Sequence, residues 1–227
     1  MVVARDVKKW LQPLAARHAD LAIVGRLLIV TPVRHHLRGV LIGRTSSANC
    51  ITPQWLIHHS FSPRLGYHLS WGDLLSGRTG HYWNTDDPNM PADLLVAIET
   101  QALPKLRAVQ TLEDFVAAVP STRGGHLWSI DPEGKSLIDI AMGELEQARA
   151  SCREKICNRP DPGPKEADVT KAEVAGAKLL CGLLEKNDIE GLIRTLHSWE
   201  EASVKKLKLA PYWEPSPFPV ELKMQAR

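Results

Sequence analysis

The spacing of apolar residues changes once along this chain, and that change limits the folds open to it. Before about residue 120 the apolar runs are short, β-branched and broken by turn residues. In Tyr67-His-Leu-Ser-Trp, Tyr67, Leu69 and Trp71 alternate with His68 and Ser70, the period-two signature of a strand with one buried face. From Ser136 onward, Leu137, Ala141, Leu145, Ala148, Cys152 and Ile156 recur every three or four residues, which is helical spacing. Strands in front and helices alone behind define an α+β protein rather than an alternating α/β one.

The elements follow in order. Val7, Trp10, Leu11 and Leu14 mark an amphipathic helix from Arg5 to about His18. The run from Leu21 to Val30 and the run from Val33 to Ile42 predict two strands, with their loop at Thr31-Pro32 or at His35-His36. Pro53 marks the entry to a third strand, Gln54 to Phe61, and Tyr67 to Trp71 is a fourth. Short connections make this an antiparallel meander. Residues 72–91, rich in Gly, Asp and Pro, predict a loop of about twenty residues, a length common at functional sites. A helix follows from Ala92 to about Val109, with Pro104 placed to kink or split it. Thr111-Leu-Glu-Asp then forms a capping box for another helix.

Behind a second loop, from Pro120 to Gly134, the helical pattern runs unbroken to about Cys157. Asn-Arg-Pro-Asp-Pro-Gly-Pro at 158–164 interrupts it. Two more helices turn at Asn187-Asp188, and a proline-rich extended tail closes the chain. The expected organisation is an α+β domain at 1–130, with an N-terminal helix and about four antiparallel strands. A helical subdomain at 131–227 follows, its three-helix portion packed on the sheet and its tail rich in proline.

Composition removes several function classes. The chain has 28 basic and 26 acidic residues, too even a balance for a nucleic-acid face. No run approaches the roughly 18 apolar residues of a membrane span, and charges interrupt the first residues where a signal peptide needs its apolar stretch. The cytoplasm is the expected compartment. Cys50, Cys152, Cys157 and Cys181 lack the density and spacing of a disulfide framework, so Cys152 and Cys181 read as small core residues.

No phosphate-binding loop, dinucleotide fingerprint, nucleophile elbow, His-Glu-x-x-His or Cys-x-x-Cys occurs, and no cofactor is implied. Two sets of residues remain. His35, His36, His58, His59, His68 and His81 cluster in or beside the predicted sheet, and alternation lets His36, His58 and His68 share a face where imidazoles could ligate a metal. The second set lies on the two loops: Trp71, His81, Tyr82, Trp83, Asp86 and Asp87 on one, Arg123, His126 and Trp128 on the other. Trp, Tyr and Arg dominate protein-interface hot spots, although a loop tryptophan also serves as the lid of a small core. Trp71, His81, Trp83, Arg123 and Trp128 are the candidate binding residues, and no metal ligand is assigned.

A helix, four strands, a helix reading Leu94-Leu-Val-Ala-Ile-Glu-Thr-Gln-Ala-Leu-Pro-Lys-Leu and the capped Thr111-Leu-Glu-Asp-Phe together resemble a bacterial α+β domain family of unknown function. The likeness spans about residues 5–120, implies the fold described above, and carries no catalytic residue. The expected function is that of a non-enzymatic binding protein, an adaptor or immunity-type partner of another protein. The alternative is a metal-assisted hydrolase using the sheet histidines.

Overall fold

The computed structural model describes residues 2–64, 71–118, 132–156, 163 and 168–226. The chain forms two compact units that are discontinuous in sequence. Unit 1 holds Met1–His58, His68–Gly124 and Pro211–Glu214; unit 2 holds His59–Tyr67, Gly125–Ala210 and Pro215–Arg227.

Unit 1 opens with helix α1 (Ala4–Arg17), which buries Val7, Leu11 and Leu14 on one stripe. A six-stranded sheet follows: β1 (Leu21–Val24), β2 (Leu27–Val30), β3 (His36–Arg44), β4 (Cys50–His59), β5 (Gly72–Leu74) and β6 (Trp83–Asn84). The first five lie side by side in chain order, and β6 pairs with β4. β1 and β2 are a hairpin in which Val24 faces Leu27. The two-residue turn between them, Gly25-Arg26, starts at φ +62°, the position where such turns call for glycine. The predicted single strand from Leu21 to Val30 is therefore two. Apolar residues flank Gly25 on both sides and hide the turn. Thr31-Pro32, joined by a cis peptide bond, makes the connection onward to β3.

Pro53 lies within β4 rather than at its entry. β5 pairs with Gln54 to Leu56 and β6 with Cys50 and Ile51, so Pro53 falls between these two short partners. A missing N–H there costs no ladder bond on that side. Gly72 is the one residue that fits its place: at φ +145° an added Cβ would sit 1.8 Å from the Trp55 carbonyl oxygen. Of the predicted fourth strand, residues 67–70 lie outside the described residues.

The helix after the sheet is split as Pro104 demands. α2 (Met90–Ala97) passes into one π-turn (Ile98–Ala102), and α3 (Leu103–Ala108) restarts with Pro104 in its first turn. α4 (Leu112–Ala118) carries the predicted capping box. Asp114 N–H donates to Thr111 Oγ1 at 3.1 Å and Thr111 N–H donates back to Asp114 Oδ2 at 2.9 Å.

Beyond the end of β4 at His59, the regular elements of unit 2 are helical in its described residues. Where one helix to Cys157 is expected, α5 (Pro132–Met142) ends at Gly143, φ +79°. Glu144 N–H reaches back to Asp139 O and Gly143 N–H to Ile140 O, a Schellman stop. α6 (Leu145–Ser151) and a π-turn (Cys152–Ile156) follow. The apolar spacing keeps its phase across Gly143, so periodicity alone misses the break. α7 (Asp168–Glu185) and α8 (Ile189–Lys206) form the expected hairpin, with Asp188 capping α8 through Gly191 N–H at 2.8 Å. The tail is not extended throughout, because α9 (Pro219–Gln225) closes it. Phe218, just before α9, is fully buried edge-on to Phe61 at 5.1 Å. Cys152 and Cys181 are joined as a disulfide, Cα atoms 5.6 Å apart, which corrects their reading as separate core thiols. Twenty-nine residues separate them, so no local spacing announces the pair.

Candidate functional site: a cationic cavity in unit 1

The site is built around the start of β3 and the segment that leads into it. Arg34, His36 and Arg38 stand at every second position and line one cavity of about 370 Å³. Asp20, after α1, and Arg107 and Gln110, around the end of α3, complete its wall. Arg107 grips Asp20 with two parallel bonds of 2.8 Å, from Nε to Oδ2 and from Nη2 to Oδ1. That guanidinium holds the Asp20 carboxyl below its ordinary range, against the opposing effect of burial. Arg34 donates to Glu214 Oε2 at 3.1 and 3.3 Å. Glu214 belongs to a tail segment carried by unit 1, where Val33 N–H donates to Tyr212 O and Glu214 N–H donates to Val33 O.

Arg38 differs from both. It is only 7% exposed, and it donates to two backbone carbonyls, Val109 O at 2.9 Å and Pro32 O at 3.1 Å. Its Nε has no partner, and among the described residues no carboxylate pairs with it. Burial, then the charge of Arg34, lowers its pKa; Asp20 acts in the opposite sense. A buried cation without a counter-ion is an exception that proteins rarely keep without use.

His36 packs beside it, stacked on Phe115 at 5.8 Å, with Nε2 3.4 Å from Val109 O and Nδ1 unpartnered. Burial, and secondarily the Arg38 charge, push its pKa down to about 3. His59, in unit 2, is brought to about 4 by burial. Both are neutral in the folded protein at physiological pH. Above the unfolded value of about 6.5 neither state takes a proton there, and the stability each provides is fully present. As pH falls, the unfolded chain binds a proton that the folded one refuses. Unit 1 should therefore lose roughly 2 kcal/mol from His36 alone between about pH 6 and pH 4.5. Denaturant titrations across that range test this, and His36→Gln should flatten the slope by about that amount.

The sequence-predicted residues fall differently. Trp71 is 6% exposed and packs edge-on to Phe115 at 4.4 Å, which places it behind the cavity through the Phe115–His36 stack. Trp83 is buried over Gly77 and donates from Nε1 to Leu75 O at 3.1 Å. Both rings close the core of unit 1. His81 is half-buried, with Nδ1 3.5 Å from Ser76 Oγ, while Tyr82 beside it is 67% exposed. Arg123, His126 and Trp128 lie outside the described residues, as does His68. Among the described residues no three His, Cys, Asp or Glu side chains come together to hold a metal ion.

Arg34, Arg38, Arg107 and Asp20 went unremarked in the sequence. One signal was there: Arg34-x-His36-x-Arg38 is a basic stripe at strand period on a single face. Asp20 and Arg107, 87 residues apart, have no such mark.

The fold and site define an α+β protein whose sheet unit carries a cationic cavity around a buried arginine. No protein-family model, curated protein or solved structure matches the chain. Among the described residues no helix is long and apolar enough to cross a membrane.

Proposed function

We propose that this chain is a non-enzymatic binding protein that receives an anionic group of its partner in the unit 1 cavity. The observation that carries the reading is Arg38, a buried guanidinium held by two carbonyls and neutralised by no carboxylate among the described residues. Its volume of about 370 Å³ lies within the range of small-ligand sites. The lining argues for recognition over chemistry. Asp20 is locked ionised against Arg107, and His36 is a weak, buried base, so neither is poised near neutral pH for proton transfer. The Thr31 hydroxyl donates to Asp20 O and is not set against a general base. We further propose a protein as the partner. The exposed Tyr82 beside the half-buried His81 offers additional contact area on the same unit.

The test is thermal unfolding of the full chain in acetate, sulfate or phosphate against a neutral amide at equal osmolarity. An anion at about a hundred times its Kd stabilises the folded state by about 2.7 kcal/mol, a rise of roughly 5–10 °C for a chain of this size. If no anion raises the transition above the neutral control, the binding reading fails.

A further inference from the structure

We infer that the unit 1 cavity is a carboxylate site, built for one negative charge, whose ligand is a small monocarboxylic acid or the C-terminal carboxylate of a peptide. This deepens the binding reading above and rests on it. The charge count of the wall decides the class. Arg107 is matched by Asp20 through two 2.8 Å bonds, and Arg34 is matched by Glu214. His36 sits in an apolar stack on Phe115, where a second cation beside Arg38 is disfavoured. Among the described residues one unmatched positive charge is left, that of Arg38. A phosphate monoester, close to two negative charges at neutral pH, would leave an excess charge in the cavity; a carboxylate would not.

The geometry agrees with the count. A guanidinium has five N–H groups in a planar fork, and Arg38 gives one to Val109 O and one to Pro32 O. Nη1 and Nη2 each keep a second N–H beyond these bonds, and such a pair is spaced to match the two oxygens of a carboxylate side by side. The two carbonyl bonds fix the plane of the fork, so the guanidinium is oriented before the ligand arrives. Solvent reaches the site past the Arg34 and Gln110 rim, since both residues are exposed. The Gln110 carboxamide, bonded weakly to Arg107 O at 3.5 Å, is uncharged and adds nothing to the count.

Isothermal titration of the full chain at low ionic strength tests the inference with five probes. They are benzoate, phenyl phosphate, benzamide, a short N-acetylated peptide with a free C-terminal carboxylate, and its C-terminally amidated twin. Benzoate or the free-carboxylate peptide should bind at least tenfold more tightly than phenyl phosphate, benzamide or the amidated twin. Binding by benzoate but not the peptide assigns a small acid; the opposite result assigns a peptide terminus. Arg38→Gln should weaken the carboxylate at least tenfold. Because Arg38 also ties Val109 and Pro32, Gln110→Glu supplies a second variant that leaves those bonds alone and cancels the surplus charge from the rim. It should weaken binding severalfold, with its melting transition unchanged. Phenyl phosphate binding as tightly as benzoate would overturn the monoanion inference and leave the binding reading standing. Carboxylate affinity equal in the parent chain and both variants would place binding elsewhere. If no anion binds at all, both readings fall together.

Discussion

Replacing Phe115 by Ala should destabilise unit 1 by about 3–5 kcal/mol, the usual cost of removing a fully buried aromatic ring. Phe115 is 1% exposed on α4, and its ring touches His36 on one side and the edge of Trp71 on the other. The void left by truncation would border the cavity wall directly. His36 would lose its stack, Trp71 its edge-to-face partner, and each such aromatic pair adds about 0.5–1.5 kcal/mol beyond its buried area. Denaturant unfolding followed by tryptophan fluorescence measures the loss. Phe115→Leu, which keeps most of the volume, is the control and should lose less than half as much. A loss below about 1 kcal/mol for the alanine variant would mean the cluster is not packed as described. The same substitution should weaken carboxylate binding, because His36 and Arg38 share the Val109 carbonyl and shift together.

The second large effect belongs to unit 2. Cys152, at the start of the π-turn after α6, and Cys181, within α7, are both 3% exposed and bridged. Their separation of 29 residues gives a loop-closure contribution of about 3.5 kcal/mol at 25 °C in the chain-entropy model. Cys152→Ala with Cys181→Ala should therefore lower the denaturant midpoint of unit 2 by about that energy divided by the m-value. Adding a strong reductant to the parent chain should reproduce most of the loss. A midpoint that reductant leaves unmoved would show the two sulfurs as unbonded thiols. This measurement also bears on compartment, since such bonds persist in oxidising surroundings and are rare in the cytosol.

Both effects concern contacts that the sequence did not display. The regular elements were legible where local physics governs them. The stripe Val7, Leu11 and Leu14 buried α1 as its spacing requires, and Pro104 split the following helix. The box Thr111 to Asp114 capped α4, and Asn187-Asp188 turned the chain between α7 and α8. Each of these depends on residues within one helical turn of each other. At two of the misread elements local periodicity is blind to a single left-handed glycine. Gly25 folded one apolar run into a hairpin, and Gly143 ended a helix whose apolar phase continues on the far side. A φ above zero leaves no trace in hydrophobic spacing.

The candidate site was less legible still, because burial rather than identity gives its residues their character. An arginine in a strand reads as a solvated edge until the structure shows it 7% exposed with two carbonyls as its only partners among the described residues. Trp71 and Trp83, candidate binding residues that could also lid a small core, are buried in unit 1, since a tryptophan's role depends on which side of it the chain passes. Interactions that span a few residues set the α+β class, the amphipathic faces, the capping box and the proline break. Long-range packing is what lets Arg107 neutralise Asp20 and Glu214 neutralise Arg34, and what leaves Arg38 buried with no carboxylate partner among the described residues. Those pairings join residues 87 and 180 positions apart, and a charge balance over such distances exists only once the chain has folded.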